Sequence, residues 1–176
     1  AISGSQDNGT TIKNSTEWVE AYGADGMEGI VLPLNPEYMI GSYQFGGRIR
    51  TLDSGMSNTI VTSNGTDGWW EAPLAYDPND QFKIYDFRNG VYVSTDFGLN
   101  YSYVGTPSFL NSNPDNYWWQ IRNAEIAQNN SNIMVVSRAS EIEKSVDGGA
   151  NFTNIKNNLP NHEIQDIAIN PNDDND

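Results

Sequence analysis

The chain has 176 residues, with 9 Lys and Arg against 23 Asp and Glu, for a formal net charge of −14. That length allows one domain with a real core, and so acidic a surface repels phosphate backbones and anionic lipid, which argues against nucleic acid or a membrane surface as partner. Plentiful Gly, Asn and aromatic residues point to turns and strands, cysteine is absent, and no apolar run approaches the ~20 residues that a membrane span requires.

In chain order, Ala1 to Gly23 reads as the second, third and fourth strands of a unit lacking its first, with an Asx turn at Gln6-Asp7-Asn8-Gly9. Leu32-Pro33-Leu34-Asn35-Pro36 reads as a first strand running into an Asn-Pro turn. Tyr38 to Ser42 follows as a second strand, and Arg48 to Thr51, beyond Gly46-Gly47, as a third. The order returns with Leu74 to Asp77 and Pro78, Lys83 to Phe87, the Asn89-Gly90 turn, and Val91 to Ser94. It returns again with Ile126 to Asn130, Ile133 to Ser137, a turn at Ala139-Ser140, and Glu141 to Ser145; Glu163 to Asn170 opens a further unit. The first strands lie about 42, 52 and 41 residues apart, the length of one propeller blade. No segment has a helical period. The expected class is all-β, a β-propeller of four-stranded antiparallel blades with blade parts at 1–24, 25–68, 69–117, 118–160 and 161–176.

Each third strand runs into the most specific pattern in the chain. Ser94-Thr95-Asp96-Phe97-Gly98-Leu99-Asn100-Tyr101 and Ser145-Val146-Asp147-Gly148-Gly149-Ala150-Asn151-Phe152 share the form Ser-x-Asp-x-Gly-x-Asn-aromatic. Thr51-Leu52-Asp53-Ser54-Gly55-Met56-Ser57 keeps the Asp and Gly without the aromatic residue. This pattern resembles the Asp box, or BNR repeat, of sialidases, of sortilin-type receptor domains and of secreted bacterial propellers and glycoside hydrolases. Its chemistry is structural. Carboxylates of Asp53, Asp96 and Asp147 can accept turn N–H groups, Gly98 and Gly149 supply positive φ, and Tyr101 and Phe152 tuck beneath the turn.

Strands alternate direction through a blade, so the Asp-pattern turns share one face with the first-to-second connections. The opposite face carries the second-to-third and fourth-to-first connections, and in families resembling this one it holds the ligand. Its candidate carboxylates are Asp7, Asp25 and Asp67. Some glycoside hydrolases of similar architecture place an acid just ahead of an inner strand, where Asp25 stands, although Asp-Gly is also a turn dipeptide. Trp69-Trp70 and Trp118-Trp119 occupy equivalent positions; their indoles suit sugar stacking, and one of each pair suits the gap between blades. Arg88 adds a polar contact. His162 is the sole histidine, so His-based triads and multi-histidine metal sites are excluded. The tail Asn172 to Asp176 lacks the spacing of a calcium loop, so no metal site is assigned and Ca²⁺ is the one cofactor left open.

The unmatched strands at the two ends would either close a four-bladed ring or belong to a larger propeller, and the apolar faces that an open array would wet favour the larger one. A loop-rich chain without cysteine that opens at Ala1 fits a processed bacterial protein, extracellular or on the cell surface. The Asn-x-Ser/Thr triplets at Asn8, Asn14, Asn64, Asn100, Asn129 and Asn151 carry little weight in so Asn-rich a chain. The functional expectation is a non-catalytic binding or scaffold module without membrane insertion. Polysaccharide or glycoprotein glycans, the rest of the propeller, or other surface proteins would be its partners. The rival is a glycoside hydrolase, sialidase-like or β-glucan-cleaving, needing two carboxylates roughly 5–9.5 Å apart; a peptide-binding receptor domain is a third reading. Arg48, Arg50, Arg88, Arg122 and Arg138 are too dispersed to reveal the arginine cluster of a sialidase.

Overall fold

The computed structural model describes residues 1–61, 68–111 and 120–173. Its first sheet holds β1 (Ile2–Ser5), β2 (Gly9–Lys13) and β3 (Trp18–Tyr22). The second holds β4 (Gly26–Val31), β5 (Met39–Tyr43), β6 (Gly47–Thr51) and β7 (Thr59–Ile60). The third holds β8 (Leu74–Asp77), β9 (Asp80–Phe87), β10 (Val91–Ser94) and β11 (Ser102–Gly105). The fourth holds β12 (Asn123–Ile126), β13 (Met134–Arg138), β14 (Glu141–Ser145) and β15 (Thr153–Asn154). Every sheet is an antiparallel meander whose strands neighbour one another in chain order, because hairpin turns connect successive strands. The sheets are propeller blades, with β4, β8 and β12 innermost around a shared channel.

Three sequence expectations shift. Ile126 to Asn130 leaves its strand at Ile126 and turns, with Ala127 N–H donating to Ile133 O and Ile133 N–H to Asn130 O, each at 2.9 Å. Leu32 to Pro36 is a turn rather than a strand: Leu32 N–H donates to Tyr38 O at 2.9 Å and Tyr38 N–H to Asn35 O at 2.9 Å, so its amides are spent locally. The stretch 163–170 forms no ladder among the described residues. It runs instead beside β12, with Ile164 N–H donating to Ala139 O at 2.7 Å and Asn129 Nδ2 to Pro171 O at 2.6 Å. The same kind of link joins Asn79 Nδ2 to Gln128 O one blade earlier, at 3.4 Å.

The core lies between blades. Ile30, Leu32 and Ile40 of the second sheet and its inner turn pack on Leu74, Ile84 and Phe97 of the third. Tyr85, Phe87 and Val91 of the third pack on Ile126, Met134 and Val136 of the fourth, with Phe109, Leu110 and Ile121 closing the cluster. Arg48 on β6 crosses the first of these interfaces to Asp86 on β9 at 2.9 Å, both side chains fully buried, and Arg88 Nε reaches the other Asp86 oxygen at 3.2 Å. Arg48 also donates to Ala72 O and Pro73 O, which supplies the extra hydrogen bonds that a buried charge needs. The first two sheets meet through glycine. A Cβ on Gly4 would stand 1.9 Å from Met27 O, and one on Gly26 would stand 2.1 Å from Gly9 O, so backbone touches backbone there.

The turn after each third strand has one geometry in three blades. Ser94 Oγ donates to Asp96 Oδ1 at 2.7 Å and accepts Gly98 N–H at 2.8 Å; Asp96 Oδ1 accepts Asn100 N–H at 2.9 Å, and Oδ2 accepts Asn100 Nδ2 at 2.7 Å. Ser145, Asp147, Gly149 and Asn151 repeat this set, as do Thr51, Asp53, Gly55 and Ser57 with a serine hydroxyl in place of the Asn amide. Two successive residues take positive φ in each: Ser54 and Gly55, Phe97 and Gly98, Gly148 and Gly149. The glycines face the preceding blade, where added Cβ atoms would meet Ile12, Ile40 and Val91 respectively. Arg50 Nε, from that preceding blade, donates to Phe97 O at 2.8 Å. Tyr101 packs on the cluster holding Phe97, and Phe152 on the one holding Met134.

Burial opposes ionisation of Asp96, but hydrogen bonds from Asn100, Ser94 and Leu99 hold its carboxyl at about 2, against an ordinary 3.8. Asp147 also stands at about 2, held there first by the Asn151 amide. A depressed carboxyl contributes stability above its unfolded pKa and loses it as pH falls through the folded value. The melting temperature should therefore drop between pH ~4 and ~2, and Asp96→Asn should flatten that drop in a thermal scan. Asp96→Ala orphans turn donors and should cost about 1–3 kcal/mol in denaturant unfolding.

Candidate functional site

A cleft of about 550 Å³ opens beside the inner strands, lined by Glu28, Trp69, Glu71, Pro73, Arg122, Asn123, Ala124 and the stretch 163–166. It adjoins a channel of about 490 Å³ between β4, β8 and β12, and Glu28 and Ala124 line both. Glu28 owes its place to a β-bulge. Gly26 pairs with Tyr43 and Gly29 with Gly41, so Met27 and Glu28 together oppose Ser42 alone. Ser42 Oγ donates to Glu28 O at 2.6 Å and fixes the bulge. The Glu28 carboxylate then accepts Leu74 N–H at 3.1 Å, at the head of β8 in the next blade.

Desolvation by the surrounding blades pushes the Glu28 carboxyl above its ordinary value, with the Leu74 amide and Arg48 opposing and the nearby Glu71 charge adding to the rise. Glu125, further along the channel, is raised by burial and by Asp166. Arg122 is the cation of the cleft. Its guanidinium lies 3.9 Å from the centre of the Trp69 ring and pairs with Glu163, which neutralises it. Asn123 Nδ2 donates to Ser137 Oγ at 3.0 Å and to Ile164 O at 3.1 Å, fixing the 163–166 wall.

The residues singled out from the sequence fall in different places. Asp7 and Asp25 do meet: Asp7, at φ 63°, donates its N–H to Asp25 Oδ1 at 2.7 Å, and Asp25 N–H donates to Gln44 Oε1 at 2.9 Å. Asp25 thereby ties the β1–β2 turn to the turn after β5, and neither residue lines the cleft. Trp69 lines it, whereas Trp70 packs edge-to-face on Phe45 at 5.0 Å, across the boundary between second and third blades. Arg88, expected to contact ligand, is buried instead, paired with Asp86 and lying 4.1 Å from the Tyr92 ring centre. Its neighbour Asp86, inward on β9, draws it into the core. Asp67, Trp118 and Trp119 lie outside the described residues. Among the described residues no three His, Cys, Asp or Glu side chains converge as a metal-holding group.

The connections on the expected ligand face include Glu28 and Glu71, but the sequence alone assigns neither a role, and Arg122 stands out there only as one of the dispersed arginines. Glycines on both sides of Met27-Glu28 were the available signal for a bulge, since a glycine within a strand often marks one.

In fold the chain is similar to the GH74 xyloglucanase from Xanthomonas campestris, with TM-score 0.64 and 14% identity over 90% of this chain and 29% of that one. It is similar to the GH74 enzyme from Niastella koreensis, with TM-score 0.56 and 19% identity over 88% of this chain and 27% of that one. YCF48 from Cyanidioschyzon merolae matches with TM-score 0.50 and 14% identity over 82% of this chain and 39% of that one. The likeness is one of fold, a β-propeller, and the chain spans less than a third of these two GH74 proteins. No protein-family model matches the chain, and neither does any curated protein sequence. No helix among the described residues is long and apolar enough to cross a membrane.

A carboxyl held above its ordinary value stabilises the fold when protonated, and that contribution is lost as pH rises through the folded value. Glu28→Gln should therefore flatten the decline in melting temperature from mildly acidic to neutral pH. A variant with the wild-type slope would show that the Glu28 carboxyl is not desolvated.

Proposed function

We propose that the chain is part of an extracellular bacterial propeller of the Asp-box type that binds a glycan in the cleft beside the channel without cleaving it. The observation carrying this reading is Trp69, whose indole lines the cleft with one face under the Arg122 guanidinium, itself paired with Glu163, while Glu71, Asn123 and Gln165 line the same cleft. An aromatic plate with polar groups at its margin suits a sugar ring, whose faces carry C–H bonds and whose edge carries hydroxyls. Pinning the indole in advance lowers the ordering cost of binding. Asp25, spent on the Asp7 amide and outside the cleft, is poorly placed to move a proton there, which removes it as a candidate acid. The hydrogen-bond pattern repeated at Asp53, Asp96 and Asp147 supports the Asp-box assignment.

A second reading, glycoside hydrolysis, is favoured by one observation. Glu28 is a raised carboxyl with Glu71 close enough to add to the rise, and two carboxyls lining one cleft are what glycoside hydrolysis needs.

A glycan array followed by a reducing-sugar assay separates the two. Binding without product supports the binding module, and Trp69→Ala should then weaken binding about tenfold or more while the variant still unfolds cooperatively in a thermal scan. Product that disappears in Glu28→Gln would overturn the non-catalytic reading. Array binding that survives Trp69→Ala would remove the cleft from the account.

A further inference from the structure

The face opposite the cleft bears an apolar surface that the fold does not explain. In each aspartate turn the geometry consumes the Ser or Thr, the Asp, the Gly and the Asn or Ser, and the residue between Asp and Gly turns inward where it is Phe97, which leaves the residue before the Asp and the one after the Gly unconstrained. Those positions nevertheless carry Leu52 and Met56 in the second blade, Leu99 in the third and Val146 in the fourth, all exposed. Leu34, in the β4–β5 connection on the same face, is 83% exposed and Met56 82%. Scattered exposed apolar residues are ordinary. These are not scattered. Leu34 N–H donates to Gln81 Oε1 at 3.1 Å, the adjoining Phe82 is itself exposed, and Phe82 O accepts the N–H of Phe97 in the turn that carries Leu99. The segments carrying Leu34, Phe82 and Leu99 thus lie next to one another across the boundary between the second and third blades.

Its charge says what covers it. Asp53, Asp96 and Asp147 stand among the apolar side chains, each held ionised by its turn, and Glu37 and Asp80 are exposed beside them. The cations nearby are engaged within the chain: Lys83 pairs with Asp77 at 3.2 Å, and Arg50 donates to Phe97 O and Asp96 O. An apolar surface with fixed negative charge repels anionic lipid and attracts positive groups on an apolar frame.

We propose that this face docks a polypeptide whose contact surface is both basic and aliphatic, with Leu34, Phe82 and Leu99 as the apolar anchors and the turn carboxylates as its charged margin. Burying exposed aliphatic side chains supplies affinity, and the carboxylates set orientation and association rate. The glycan cleft takes no part.

The test uses the whole chain and synthetic amphipathic peptides of equal length, measured by calorimetry at moderate salt. A Leu/Lys helix should bind, and Leu34→Ser with Leu99→Ser should weaken it about tenfold with little change in melting temperature, since neither side chain belongs to a buried cluster. A Ser/Lys peptide should bind far more weakly, and a Leu/Glu peptide not at all. Equal binding by the Ser/Lys peptide would reduce the effect to charge and overturn the proposal, as would undiminished binding to the double variant. Loss of binding on Trp69→Ala alone would move the peptide into the cleft and overturn it equally. Binding to phosphatidylserine vesicles in preference to the peptides would identify a lipid surface and refute a polypeptide partner.

Discussion

The third blade has apolar side chains on both faces of its sheet, Ile84 and Phe97 toward the second blade and Tyr85, Phe87 and Val91 toward the fourth, so it cannot exclude water until neighbours lie against it. The main interactions of the molecule follow from that constraint. The two buried clusters straddle blade boundaries, and so does the Arg48–Asp86 pair, which would be a liability inside a single sheet and becomes a pin between two. Ladder hydrogen bonds set the shape of each blade. Contacts across the boundaries set whether it folds.

The aspartate turns belong to the same constraint. Two residues in left-handed backbone conformation, one of them the bulky Phe97 in the third blade, carry a strain that an isolated hairpin would relax. The serine hydroxyl and the carboxylate hold the bend, and the bend delivers a glycine backbone onto an apolar side chain of the preceding blade. The cleft inherits this order. Glu28 comes from one blade, Trp69 and Glu71 from the approach to the next, and Arg122 and Asn123 from the one after. Small changes in the angle between blades would therefore alter the shape of the cleft without touching its residues.

Much of this architecture was legible in the residues because turn chemistry is local. A Ser-x-Asp-x-Gly-x-Asn stretch specifies its own hydrogen bonds, and a spacing near one blade length needs no tertiary knowledge. The site was less legible for equally physical reasons. Glu28 reaches the channel through a shift in register, a property of the pairing of β4 with β5 that neither strand displays alone. Arg88 sits at a loop position that suggested ligand contact, but its fate depends on Asp86 and on Arg48 from another blade. Leu32 to Pro36 has the composition of a strand end and folds as a turn because its amides find partners within six residues. Asp25 looked like a free acid ahead of an inner strand; its partner is an amide 18 residues earlier in the chain.

Because each aspartate turn completes the surface of the blade before it, the sheet is not the natural module for recombination. A chimera cut cleanly at sheet borders would pair a foreign bend with a native Ile12, Ile40 or Val91 and mismatch the two. Crossover points moved into the third strands fare no better, because the spans from Ile12 to Gly55, Ile40 to Gly98 and Val91 to Gly149 overlap and any junction among them separates at least one complementary pair. Gene duplication that added or removed whole units would have faced the same rule.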